Sequence, residues 1–179
     1  MLETLITSKT RIKLLMKFFI NANSESYLRN LESEFGDSTN GIRLELNKFE
    51  HAGMLNSEFK GNKKFFKANT NHPLFPEIHN ILLKHIGLDQ IIDQIVHKIG
   101  SLSKVYLVGD FAKGKDSNII DLVFVGDNIK KSYLLKLISK AEKIVKRKIR
   151  YLLFSCDEIG AFLAEKNEMD CILLWSNEA

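Results

Sequence analysis

The chain has 179 residues, a length that suits one large or two small domains. Hydrophobic residues make up 45% of it and charged residues 27%, enough apolar content for a buried core and enough charge for solubility. No apolar run reaches the ~18 residues of a membrane span, so no membrane partner is expected. The opening residues, Met1 to Thr4, lack a basic-then-apolar leader pattern, which predicts a cytoplasmic protein. Cys156 and Cys171 are far apart and match no zinc spacing. Both are expected to be reduced, small core hydrophobes. The net charge of +4 permits an anionic partner without demanding one. Residues 1–70 carry 11 Lys/Arg against 8 Asp/Glu, while residues 71–179 carry 15 against 14, so the excess sits mainly in the first 70 residues.

Helical periodicity runs through residues 3–20, with Leu5, Ile6, Ile12, Leu15, Met16 and Phe19 predicted inward. The stretch Asn21 to Ser24 breaks it. A short amphipathic helix is predicted over 26–35, with Leu28, Leu31 and Phe35 inward, ended by Gly36-Asp37. Asp37 or Ser38 can cap a third helix, which runs to about His51 with Ile42, Leu46 and Phe49 buried and Gly53 just past its end. Leu55–Phe59 and Lys64–Ala68 then alternate apolar and polar residues around the turn Lys60-Gly61-Asn62-Lys63. Residues 71–76 hold both prolines and read as a linker, followed by one or two helices over 77–99 with a break at Gly87.

The rhythm of the last third is different. Strands are predicted at Val105–Val108, Ile119–Val125, Ile149–Phe154 and Cys171–Trp175. Helices are predicted at Lys131–Arg147, with Leu134, Leu135, Ile138 and Ile144 inward, and at Asp157–Glu165. The predicted fold class is therefore two domains: a mainly α N-terminal domain with a β-wing at 1–70, a linker helix region at 71–100, and an α/β domain with a small mixed sheet at 101–179.

In a helix-turn-helix the second helix enters the major groove, and residues near its N-terminus reach base edges. Here the outward residues are Thr39, Asn40, Arg43, Asn47 and Lys48. Arginine suits guanine and asparagine suits adenine, because each makes paired hydrogen bonds to its base. Lys48 and the hairpin lysines Lys60, Lys63 and Lys64 are candidates for phosphate contacts, which add affinity but little sequence information. A solvated helix face and a charged hairpin would look much the same residue by residue. The order of helix, helix, turn, polar helix and basic hairpin separates the two readings. That order, with the stretch Gly41 to Leu55, resembles the winged helix-turn-helix of ArsR-type regulators over about 70 residues. The resemblance implies double-stranded DNA as partner and a homodimer, with 77–99 as a plausible dimer element. Winged helices also dock proteins, so an antitoxin-like adaptor is the alternative.

Gly109-Asp110-Phe111-Ala112-Lys113-Gly114 follows a strand, and Asp121-Leu122-Val123-Phe124-Val125-Gly126 follows on the next. Residues 105–126 resemble the minimal nucleotidyltransferase (polymerase beta-like) family, whose pattern is "G-S-x-A-x-G" and then "S-D-x-D-L". The resemblance implies a two-metal phosphoryl-transfer site, with a carboxylate pair at i and i+2 on one strand face and a third acid from a later strand. The sequence departs at each point. Asp121 has Ile119 before it and Val123 after it at that spacing, the strand at 149–154 contains no acid, and Asp110 stands where a serine is expected. Asp116 lies in the preceding loop and could substitute only if that loop folded back. Gly109, Asp110, Gly114 and Asp121 are thus expected to be the remains of a nucleotide site, with no catalytic residue, metal or cofactor. An active or nucleotide-binding nucleotidyltransferase is the enzymatic alternative. His85, Asp89, Asp93 and His97 form an i+4 ladder, read as the solvated flank of a helix that buries Leu88, Ile92, Ile95, Val96 and Ile99. Cys156-Asp157-Glu158 lacks a nearby histidine and shows no nucleophile pattern.

Overall fold

A computed structural model, which describes residues 2–99, 102–166 and 170–177, breaks the first apolar stretch at Ser8. Helix α1 spans Leu2–Leu5 and α2 spans Lys9–Leu15. The Ser8 hydroxyl accepts the Arg11 N–H at 3.2 Å and so caps α2. Leu5, expected inward, is therefore on a separate short turn and is 75% exposed. Helix α2 continues as a π-helical turn, Met16–Ile20, whose wider winding buries Phe18, Phe19 and Ile20 in succession. Strand β1, Glu25–Tyr27, has no counterpart in the sequence reading. It pairs antiparallel with the later hairpin, so α3 begins at Leu28, two residues after its expected start, and ends at Phe35. Helix α4, Thr39–His51, is capped by Ser38, whose hydroxyl accepts the Gly41 N–H at 3.1 Å. Strands β2, Leu55–Lys60, and β3, Lys63–Ala68, close a hairpin on Gly61-Asn62, and the sheet order is β1-β3-β2. Helix α5 spans Phe75–Ile86. The Phe75 ring lies 5.5 Å from that of Phe19, and His79 Nδ1 lies 2.6 Å from the Phe19 carbonyl oxygen.

This first compact unit comprises residues 1–85, and a second comprises 86–179. The stretch 71–100, read from sequence as one linker, is thus divided between them. In the second unit, α6 spans Leu88–Ile95 and runs into a 3-10 turn, Val96–Lys98. Ile91 takes the buried place expected of Ile92, which is half-buried, while Asp93 and His97 lie exposed, 3.6 Å apart, on the flank. Strand β4, Leu102–Val108, is followed by the short helix α7, Gly109–Ala112, then β5, Ile119–Gly126, α8, Lys131–Val145, and β6, Lys148–Phe154. Helix α9, Ile159–Glu165, and β7, Cys171–Ser176, complete the chain. The sheet order is β6-β5-β4-β7; β5 and β6 are parallel, joined through α8, and the other pairs are antiparallel. Strand β5 is central, and Leu122, Val123, Phe124 and Val125 are all buried, as expected of a strand covered on both faces.

Two inward assignments on α8 change. Leu134, Leu137, Ile138 and Ala141 form the buried stripe at i, i+3, i+4 and i+7, which leaves Leu135 and Ile144 off it and about half exposed. The helix stops at Val145 because Lys146 turns left-handed, with φ +55°. Cys156 is exposed rather than in the core, since it follows the end of β6 in an open turn; its Sγ lies 3.3 Å from Ser103 Oγ. Cys171 is half-buried on β7, and burial pushes its thiol pKa up. Among the described residues, no helix is long and apolar enough to cross a membrane.

One buried charge fixes α4 against α2. Glu45 sits among Ile42, Leu46 and Phe49 and is 8% exposed. Arg11 clasps it with Nε–Oε2 at 2.7 Å and Nη2–Oε1 at 3.2 Å, and Lys48 adds a third bond at 3.2 Å. The Arg11 hydrogen bonds, helped by Lys48, hold the Glu45 pKa below its ordinary 4.5 against the opposing effect of burial. A depressed carboxylate pKa contributes stability that is fully present above the ordinary value and is lost as pH falls through the folded one. Arg11→Ala should cost about 1–2 kcal/mol at pH 7, the figure held down by the partial exposure of Arg11 to water. The gap from wild type should narrow below pH 4.5. Urea unfolding at pH 7 and pH 3 checks both statements, and an equal gap at the two values contradicts them.

Candidate functional site

Each unit presents one candidate site. In the first, burial of Ile42, Glu45, Leu46 and Phe49 turns Asn40, Arg43, Asn47 and Lys48 outward, where all four are exposed. Thr39 differs from its expected role. It is half-buried, and its hydroxyl donates to Glu32 on α3, which ties the start of α4 to the preceding helix. Lys48 leans back onto Glu45 while its side chain stays 61% exposed.

The hairpin lysines are more engaged than the sequence suggested. Lys60 Nζ lies 2.7 Å from both carboxylate oxygens of Glu25 on β1, and Lys64 Nζ lies 2.7 Å from Glu50 at the end of α4. Lys60 hydrogen-bonds Glu25 because β1 has joined the sheet, and that bond raises the Lys60 pKa. The bond from Lys64, with a further one from Ser57, lowers the Glu50 pKa. Lys63 instead stands over the Tyr27 ring at 4.5 Å. Exposed ion pairs of this kind contribute little to stability, so a phosphate can replace either carboxylate at little cost.

Arg43, Asn47, Lys63 and Lys64 share a groove of about 460 Å³ with Arg29, floored by Leu46 and Phe66. Sequence reasoning missed Arg29. Its only signal was a base on the exposed side of the helix preceding α4, which gains meaning once β1 and the hairpin are seen beside it. Neither Arg29 nor Arg43 has a carboxylate partner among the described residues.

The second site lies where β4 hands over to α7. Val108 stands opposite Asp121 in the β4–β5 register, and Gly109 turns away with φ +71°. A Cβ on Gly109 would overlap the Asp121 carboxylate, so only glycine fits. The parallel β5–β6 register sets Asp121 beside Arg150. Arg150 closes on it with Nε–Oδ1 at 2.6 Å and Nη2–Oδ2 at 3.0 Å, a bidentate pair. Asp121 is 15% exposed and Arg150 68%. The carboxylate raises the Arg150 pKa, with exposed Asp110 adding a smaller push in the same direction.

Gly109, Asp121 and Arg150 line a pocket of about 630 Å³ together with Lys113, Tyr151 and Phe162. Gly114 is buried and ends the turn, with its N–H donating to the Phe111 carbonyl at 3.0 Å. Asp116 does not fold back toward Asp121. It pairs with Arg147 at 2.9 Å. Of the four residues expected at this site, Gly109 and Asp121 meet in the pocket and Gly114 shapes its turn, while Asp110 stays at the surface.

No protein-family model matches the sequence, and no curated protein matches it significantly. Parts of the fold are similar to solved structures. AF1382 from Archaeoglobus fulgidus is 19% identical with a TM-score of 0.38, over 46% of this chain and 93% of that one. Reduced HlyU from Vibrio cholerae is 14% identical with a TM-score of 0.37, over 46% and 82%. A mutant MntA–HpeT toxin–antitoxin is 17% identical with a TM-score of 0.41, over 51% and 74%. Each likeness extends over only about half of this chain, and none assigns it a function.

Gly109→Ala tests the second site as built. An alanine held left-handed costs about 1–2 kcal/mol, and the added methyl group must also displace Asp121 from Arg150. Chemical unfolding should show a loss of at least about 2 kcal/mol, whereas a loss below about 0.5 kcal/mol contradicts the close approach of Gly109 to Asp121.

Proposed function

We propose that the chain is a cytoplasmic, DNA-binding transcriptional regulator of the winged-helix, ArsR-like class, acting as a homodimer, whose second unit is a nucleotidyltransferase-like domain without catalytic activity. The observation that carries the first half is the groove beside α4. Asn40, Arg43 and Asn47 project from the helix, and Arg29 and Lys63 stand next to them without carboxylate partners among the described residues. Amide and guanidinium groups read base edges, and the flanking cations hold phosphates. A homodimer would present two such helices to two half-sites about 34 Å apart.

The second half rests on the Asp121–Arg150 pair. A pair of divalent cations needs several oxygen ligands. Among the described residues, two carboxylates line the pocket: a guanidinium spans both oxygens of Asp121, and Asp170 lies 3.7 Å from the Lys113 ammonium. A resident cation at Asp121 takes the oxygens that a metal would need. A lining whose acids already stand beside side-chain cations does not fit a divalent pair.

Duplex binding by the full chain tests the reading. Affinity for a selected operator should fall steeply with salt, and Arg43→Ala should weaken specific binding by about 1–3 kcal/mol while leaving non-specific binding nearly intact. Absence of any salt-sensitive duplex binding at low ionic strength removes the DNA-binding reading. Capture of a protein partner from nuclease-treated native cells, by a chain that ignores duplex DNA, would replace it with the adaptor reading.

A further inference from the structure

The charge of the second unit is sorted along the chain in a way its near-neutral total conceals. Residues 129–150 hold nine Lys/Arg against Glu142 alone, a local net of +8 in a chain of net +4, so all other residues together carry −4. Helix α8 places much of that charge on one line. With Leu134, Leu137, Ile138 and Ala141 buried, Lys136, Lys140 and Lys143 fall on the solvent side at i, i+4 and i+7. They span about 10 Å of helix axis. With half-exposed Tyr133 and with Lys98 from the 3-10 turn they line a shallow groove of about 630 Å³.

Among the described residues no acid pairs with this row. Glu142, the one carboxylate on the helix, accepts from the Ile149 N–H at 2.9 Å and from Lys148 at 3.5 Å. Arg147 and Arg150 have Asp116 and Asp121. Lys136, Lys140 and Lys143 have no carboxylate partner among the described residues. Like charges three and four residues apart on one helix face repel each other, a cost that a polyanion laid along the row would relieve.

We infer that this face of α8 is a binding surface for the phosphodiester backbone of duplex DNA, read without regard to sequence. A duplex carries about one negative charge per 1.7 Å of axis, dense enough to meet all three lysines at once. An anionic membrane is the other surface of like charge. Interfacial helices bind it by inserting an apolar face, and the apolar face of α8 is already buried in its own unit. The inference does not depend on how α4 is read.

The test uses the full chain and a 20-base-pair duplex of arbitrary sequence, with affinity followed across a salt series. The variant K136Q/K140Q/K143Q should lower the slope of log affinity against log salt by about 3 and weaken binding at least about tenfold at low salt. The loss should be equal in an Arg43→Ala background, and K136R/K140R/K143R should restore the slope. Lys115→Gln, an exposed lysine away from this row, should leave the slope unchanged. An unchanged slope in a folded triple variant overturns the inference, as does binding to phosphatidylserine vesicles, but not to the duplex, through these lysines. If Arg43→Ala is silent on a selected operator while the triple variant loses affinity for the arbitrary duplex, the α4 reading fails and this one stands.

Discussion

A guanidinium and a carboxylate on adjacent parallel strands set the character of the second unit. Asp121 and Arg150 stand in register on β5 and β6, and their pairing decides what the strand ends can bind. The turn at Gly109 must lack a side chain because Asp121 fills the space beside it. A divalent-metal site at these strand ends would need several oxygen ligands, and β6 contributes the opposite charge. The pair satisfies itself inside the protein, and the other acid of the pocket, Asp170, lies 3.7 Å from Lys113, so cations accompany both carboxylates in the lining.

The same economy of charge governs the first unit. Its acids are used internally: Glu45 locks α2 to α4, Glu25 and Glu50 hold the hairpin lysines, and Glu34 and Asp37 hold Lys17 and Lys13. Among the cations without a carboxylate partner in the described residues, Arg29, Arg43 and Lys63 line one groove beside α4. A count of 11 bases against 8 acids understates that surface, because most of the acids do not reach it. In the second unit the count misleads more strongly, since near-neutrality hides a row of lysines on α8.

Periodicity made the helices and strands legible because each buries one face, and the caps at Ser38 and the turn at Gly61-Asn62 could be read directly. Boundaries moved where tertiary pairing overrode local pattern. Residues 25–27 became a strand because β3 offered them an edge, and the apolar run to Phe19 broke at Ser8 because that hydroxyl caps a new helix. Leu135 and Ile144 are apolar yet exposed, which a choice of inward face made without the sheet could not foresee. At the sites, the residue types were legible and their partners were not. Arg150 was visible only as the absence of an acid in its strand; its bidentate hold on Asp121 required the register of β5 on β6. Lys60 and Lys64 read as free cations because Glu25 and Glu50 are remote in sequence.

We propose Arg150, not a metal ion, as the resident cation at Asp121. Manganese titrated into isotopically labelled full-length protein tests it directly, since a bound paramagnetic ion broadens the amide resonances nearest to it. The account predicts that the Gly109, Asp121 and Arg150 signals fade no faster than those of exposed acids such as Asp93 and Asp157. Selective loss of the Gly109 and Asp121 signals at one equivalent of manganese would contradict it.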